Sequence, residues 1–235
     1  MKRTISVLIS LLFALTVLFP IGFILSACFG YNFELGSVPA SSAAIALLSV
    51  CMLILDLIFK ATIENKATQV LFSILPPLAF INAVFYIFLC SRIWVIASVW
   101  VSAGCCCFLA VKHGKPVALR VAALVLSALM VLPVGFCSFI ALIFGNIGQN
   151  TVVQTVASPS GTYYAQVIDS DQGALGGDTF VDVYEKSGVD VILFKTEKAP
   201  QRVYVGDWGE FANMQIHWKN DDCLVINSEE YKIGK

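Results

Sequence analysis

The chain has 235 residues, of which 58% are hydrophobic and only 13% charged. Soluble domains average about 25% charged, so a uniformly water-soluble globule is excluded, and the formal net charge of −1 points away from a nucleic-acid partner. The charge is unevenly shared: residues 1–145 hold eight Lys/Arg against three acids, net +5, whereas residues 146–235 hold seven against thirteen, net −6.

A helix needs about 20 mostly apolar residues to cross about 30 Å of hydrocarbon. The first predicted span covers residues 4–27 and the second 39–59. The next apolar stretch, 68–111, is too long for one crossing and is broken only by Ser91-Arg92. An Arg at a helix centre costs about 2.5–3.5 kcal/mol on the insertion scale, so Arg92 marks a tight interfacial turn between spans at 68–90 and 93–111. The fifth span, 116–145, is long enough to cross with tilt. A cytoplasmic N-terminus puts Lys2, Arg3, Lys60, Lys66, Lys112, Lys115 and Arg120 inside and leaves only Arg92 outside. That bias orients the chain, and five crossings then carry the acidic C-terminal region out of the cytoplasm. The predicted location is the cell membrane, with the bilayer as first partner.

Asp56 falls within the second span, near its inner end. An intramembrane acid is by default a functional hypothesis. The plainer reading pairs it with Lys60, one helical turn on. Pro20, Pro76, Pro77 and Pro133 lie inside spans. Transporters use broken helices to expose backbone, although kinks without such a role are commoner. Ser98, Ser102, Cys106 and Ala110 form a small-residue stripe on the fourth span, which permits close helix packing against a partner in this chain or another.

Seven of the eight cysteines lie in or beside the spans: Cys28, Cys51, Cys90, Cys105, Cys106, Cys107 and Cys137. They contain no C-x-x-C pair, and His113 and His217 lack ligand-spaced neighbours, so no metal site is expected. Buried cysteines serve most often as small apolar residues, although Cys28 and Cys90 both fall near the outer interface, where a disulfide is chemically permitted. Leu25-Ser26-Ala27-Cys28 resembles a bacterial lipobox. The apolar run before Cys28 is longer than the ~7–15 residues of a signal peptide, which argues against cleavage.

From Asn146 the pattern changes to period-two alternation with turn residues between runs, which reads as β-structure. Strands are expected at 151–157, 162–169, 179–185, 189–196, 202–208, 214–219 and 223–227, with a short one at 231–233. Turns at Ser158-Pro159-Ser160-Gly161 and Lys186-Ser187-Gly188 suggest two hairpins, 151–157 with 162–169 and 179–185 with 189–196. Residues 170–178 read as a polar, glycine-rich loop. The expected fold class is thus an α-helical polytopic membrane region, 1–145, followed by a small antiparallel, sandwich-like all-β domain, 146–235.

Three segments of this domain carry a resemblance: Ser158-Pro159-Ser160-Gly161-Thr162-Tyr163, Gly176-Gly177-Asp178-Thr179, and Ile216-His217-Trp218-Lys219 running on to Val225-Ile226-Asn227. Residues 155–233 resemble an uncharacterised family of bacterial, mostly Gram-positive, membrane-anchored proteins whose outer domains read S-P-x-G-x-Y, G-G-A-T and I-x-W…I-N. Asp178 stands where that family tends to have Ala. The resemblance implies an outer β-domain on a membrane anchor and no particular activity.

Catalysis needs a nucleophile with a positioned base, or two carboxylates in a cleft, and no such motif surrounds any Ser, Cys or His here. Asp169-Ser170-Asp171-Gln172-Gly173 opens like a calcium loop, but Phe180 stands where a bidentate Glu is required. Tyr163, Tyr164, Trp208 and Trp218 would serve to recognise a partner if exposed, but aromatics in alternating strands are more often core. No catalytic, cofactor or metal residues are therefore assigned. The leading expectation is a non-enzymatic envelope protein whose β-domain binds a protein, peptide or wall component. The alternative is a transporter or channel component. A membrane enzyme acting on lipid or wall precursors would need clustered polar residues at the outer span ends, where only Tyr31, Asn32, Glu34 and Arg92 are found.

Overall fold

The computed structural model describes residues 2–59, 63–145, 148–173 and 176–234. The chain divides into two compact units. One comprises Met1–Leu25 with Leu35–Gly145, and the other comprises Ser26–Glu34 with Asn146–Lys235.

The helical unit is built on α1 (Lys2–Cys28), α2 (Val38–Phe59), α3 (Lys66–Leu89), α4 (Ile93–His113) and α5 (Val117–Phe144). All five are long and apolar enough to cross a membrane. Their surfaces confirm which solvent they suit. Large apolar side chains point outward, Leu132 at 82% exposure and Trp94 at 80% among them, while Ser49, Asn82, Ser102 and Ser127 are buried. Apolar outside and small polar inside is the arrangement that hydrocarbon selects. The polytopic helical region followed by an antiparallel β-region is the layout expected from the sequence.

Side-chain contacts give the helices' relative directions. Ser6 of α1 meets Thr68 of α3 at 3.0 Å, and further along both helices Phe19 packs edge-on against Phe85 at 5.4 Å, so α1 and α3 run parallel. Ser49 of α2 meets Ser102 of α4 at 2.9 Å, and the C-terminal ends of these two helices also meet. The Lys115 amide donates to the Gln69 carbonyl, joining the start of α3 to the α4–α5 turn, while Ser91 donates to the Gly145 carbonyl at the opposite end. Successive helices therefore alternate in direction. Arg92 caps the start of α4 and is exposed in the short α3–α4 turn, as its charge requires. Pro20, Pro76, Pro77 and Pro133 sit inside helices that continue through them, so the backbone does not adopt the broken-helix form.

The small-residue stripe on α4 has its partner within the chain. Ser102, Cys106 and Ala110 are buried, and Ser102 bonds to α2. Ser98 departs from the stripe: it is only half-buried and donates to its own helix at the Trp94 carbonyl.

The β-unit holds β1 (Tyr31–Leu35), β2 (Gln149–Ala157), β3 (Tyr163–Asp171), β4 (Gly177–Glu185), β5 (Phe194–Lys198), β6 (Gln201–Asp207), β7 (Ile216–Asn220), β8 (Cys223–Ile226) and β9 (Glu229–Lys232). They form a four-stranded sheet in the order β2-β3-β4-β6, a three-stranded sheet β7-β8-β9 and a two-stranded ribbon β1-β5. Inward-facing Ala165, Val167, Val181 and Val183 of the larger sheet pack with Ile216, Leu224 and Ile226 of the smaller one. Asn227 and Ser228, at φ 48° and 76°, make the two-residue turn between β8 and β9, a geometry that matches the twist of paired strands.

The first expected hairpin, β2 with β3, is present. The second is not. Strand β4 pairs with β6, and β5 pairs with β1. Arg202 explains part of the choice: it grips Asp182 with two bonds of 2.8 and 3.0 Å and lies 3.8 Å over the Phe180 ring, fixing β6 on β4. Phe194 is drawn elsewhere, stacking on Phe33 at 5.1 Å. The expected loop at 170–178 is also shorter than its composition suggests, because the β3–β4 ladder runs on to Asp171 opposite Gly177.

Candidate functional site

Asp56 is the one buried charge of the helical unit among the described residues, at 4% exposure. Both its oxygens are taken by the last turn of α4. Lys112 Nζ donates to Oδ2 at 2.7 Å, and His113 Nε2 lies 2.7 Å from Oδ1. The His113 ring rests against Phe72 of α3 at 5.3 Å, so the cluster ties three helices together. Cations at a helix C-terminus also complement its dipole. Lys60, the partner expected from sequence, lies outside the described residues. The sequence offered no local signal for Lys112 and His113, which stand 56 and 57 positions from Asp56.

All eight cysteines are free, so Cys28 and Cys90 are not joined. Cys105 and Cys106 are buried and Cys107 is half-buried. Cys223 is buried in β8, where burial pushes its thiol pKa up and Glu230 adds to the effect, so the reactive thiolate is disfavoured. Among the described residues no three His, Cys, Asp or Glu side chains gather as a metal site. Asp169 and Asp171 lie on β3 rather than in a loop, and Asp171 accepts from the Gly173 amide.

Three of the four singled-out aromatics are packed. Trp218 donates from Nε1 to the Val156 carbonyl at 3.0 Å and stacks with Tyr163. Tyr164 lies parallel to Tyr184 at 5.0 Å and donates to Glu197. Burial, then the bond to Glu197, raises the Tyr164 phenol above its ordinary range, keeping it neutral. Trp208 departs from the core expectation and is exposed beside Gly177. The resemblance motif itself does structural work. Ser158 accepts from the Tyr163 amide, and Asp221 accepts from the Ser160 amide, which holds the Asp221 carboxyl below its ordinary pKa.

Among the described residues of the β-unit, two of the open surfaces bear on binding. A groove of about 480 Å³ is lined by Tyr163, Tyr164, Lys186, Lys195, Thr196 and Glu197. Part of the polar lining is committed internally, Lys195 to Glu197 and Tyr164 to Glu197. The other is β2, one of the two edge strands of the larger sheet, exposed along its length except at Val156. The chain matches no family model, no curated protein and no solved structure.

Proposed function

We propose that this chain is a non-enzymatic, membrane-anchored protein of the bacterial cell envelope whose β-domain, on the extracytoplasmic side, binds an extended segment of a protein partner along β2. The observation that carries this reading is the edge itself. Strand β2 has no charged residue and no Pro, the usual guards of an exposed edge, and Val152 and Val153 are both exposed. Such an edge invites strand addition, in which main-chain bonds supply affinity. A bulge at Val153 and the Trp218 bond to Val156 leave residues 149–152 as the open run. The outer placement is supported by the Lys/Arg bias of seven against one. The β1–β5 ribbon supports the count of five crossings rather than the orientation, since it needs the first interhelical loop and the C-terminal region on the same side. The bacterial envelope assignment rests on the resemblance of residues 155–233.

The test is photo-crosslinking in intact cells with a benzophenone amino acid in place of Val153. One discrete protein adduct, absent when the same group replaces Glu229, is expected. No adduct, or adducts only between copies of this chain, overturns the partner. Resistance of a C-terminal tag to protease added outside spheroplasts overturns the sidedness.

A transporter or channel component is the second reading, favoured by the buried Asp56 cluster. It requires that Asp56→Asn abolish an ion or substrate flux in a chain that still folds. Unchanged flux removes it.

A further inference from the structure

Residues 189–193 combine two properties that rarely coincide on a water-soluble surface. The segment is tightly built, and its apolar side chains face outward. The Thr196 amide donates to the Val189 carbonyl at 2.8 Å, the Val189 amide to Thr196 Oγ1 at 3.0 Å, and the Val191 amide to the Phe194 carbonyl at 3.0 Å. Gly188, at φ +126°, makes the entry possible, because a Cβ there would meet the Thr196 carbonyl. The resulting hairpin tip exposes Val189, Val191 and Leu193 by about half, and Ile192 by 96%.

Chain connectivity limits where this tip can be. It leads directly into β5, whose first residue, Phe194, stacks on Phe33 of β1, while the Ala199 amide donates to the Gly30 carbonyl. Strand β1 lies between two membrane-crossing helices. Gly30 follows the end of α1 by two residues, and Leu35 precedes the start of α2 by three. An extended chain advances at most about 3.6 Å per residue, so both ends of β1 stay within about 11 Å of a helix terminus. The β1–β5 ribbon is thereby tethered at the bilayer surface, with the apolar tip one residue from its end.

We propose that the hairpin tip 189–193 is a second membrane attachment, with Ile192 and its neighbours entering the boundary between headgroups and acyl chains. The chemistry favours lipid over an electrostatic partner. Lys195 is paired with Glu197, and Asp190 sits beside Lys195, so the tip carries little net charge. Attachment is therefore apolar, independent of anionic lipid and insensitive to salt. This inference does not depend on the partner proposed for β2.

The experiment places a benzophenone amino acid at position 192 of the full chain, reconstituted in nanodiscs of phosphatidylcholine alone. The expected product is a lipid adduct on the peptide containing residues 189–193, unchanged by high salt and reduced several-fold by adding Val191→Asp and Leu193→Asp. An adduct to a second copy, no adduct, or an adduct that needs anionic lipid overturns the proposal. A second measurement uses the unaltered chain with a lipid bearing a diazirine on its acyl chain. Labelling of residues 189–193 as well as of the helices is expected, and labelling of the helices alone overturns the proposal.

Discussion

The carboxylate of Asp56 and the ammonium of Lys112, 56 residues apart in sequence and on different helices, meet at 2.7 Å, with His113 closing on the second oxygen at the same distance. The arrangement satisfies a charge that hydrocarbon would otherwise reject. It also makes α2 and α4 depend on each other at one end of the bundle, where Ser49 and Ser102 alone would hold them weakly, since interhelical bonds of this kind average about 0.6 kcal/mol.

Asp56→Asn should therefore lower stability in detergent by about 2 kcal/mol, because it strands the facing His113 and Lys112. Lys112 is 37% exposed at its side chain and can turn to water, which keeps the loss at the lower end for a buried pair. A double-mutant cycle of Asp56→Asn with Lys112→Met should return a coupling of about 1 kcal/mol by thermal unfolding. A coupling near zero would show that the contact is not a lock.

Trp218→Phe keeps the ring that stacks with Tyr163 and removes only the donor to the Val156 carbonyl. The expected cost is about 1 kcal/mol, read from denaturant unfolding of the β-unit followed by tyrosine fluorescence. Hydrogen exchange at the C-terminal end of β2 should accelerate with it.

Phe33→Ala should cost about 3–5 kcal/mol, since Phe33 is buried and stacks on Phe194. The effect belongs to the β-unit. Limited proteolysis should cut near β5 much faster than in the unaltered chain, while far-UV circular dichroism of the helices holds.

Tyr204 donates to Glu210, and that bond pushes its phenol up to about 12 from an ordinary value near 10. A raised folded-state value contributes stability that is fully present below the unfolded value and is lost as pH rises through the folded one. The β-unit should therefore lose stability between pH ~10 and ~12, and Tyr204→Phe should flatten that slope. Tyrosinate absorbance followed alongside unfolding checks both.

The helical half was legible because a crossing is written locally. About 20 apolar residues and the charges at their ends determine each helix, and Arg92 alone was enough to divide the third from the fourth. The Asp56 cluster was not legible, because the local pairing rule reaches only one turn along the same helix and the real partners come from another. In the β-unit, the turn at Ser158–Gly161 is likewise local and was read correctly. The pairing of β4 with β6 depends on Arg202 reaching back to Asp182 across the intervening β5, which no short-range pattern reveals. Strand β1 is the instructive case. Tyr31, Phe33 and Leu35 alternate with Asn32 and Glu34, so the period-two signal is present, but five residues between two spans have no neighbouring strand in sequence to pair with. The same reasoning applies to the open surfaces: the exposed edge of β2 is a property of sheet order, and sheet order is not written in any one strand.

The β1–β5 ribbon also orders events in time. The ribosome makes β1 with the first two helices and β5 only after all five, so the early strand must wait on its side of the bilayer for a partner not yet translated. Residues 146–235 expressed alone would leave β5 with a bare edge and Phe194 with no ring to stack on. A helical hairpin inserted the wrong way round would do the same in the cell. The finished ribbon therefore depends on the first two helices having been threaded with their loop on the same side as the C-terminal region.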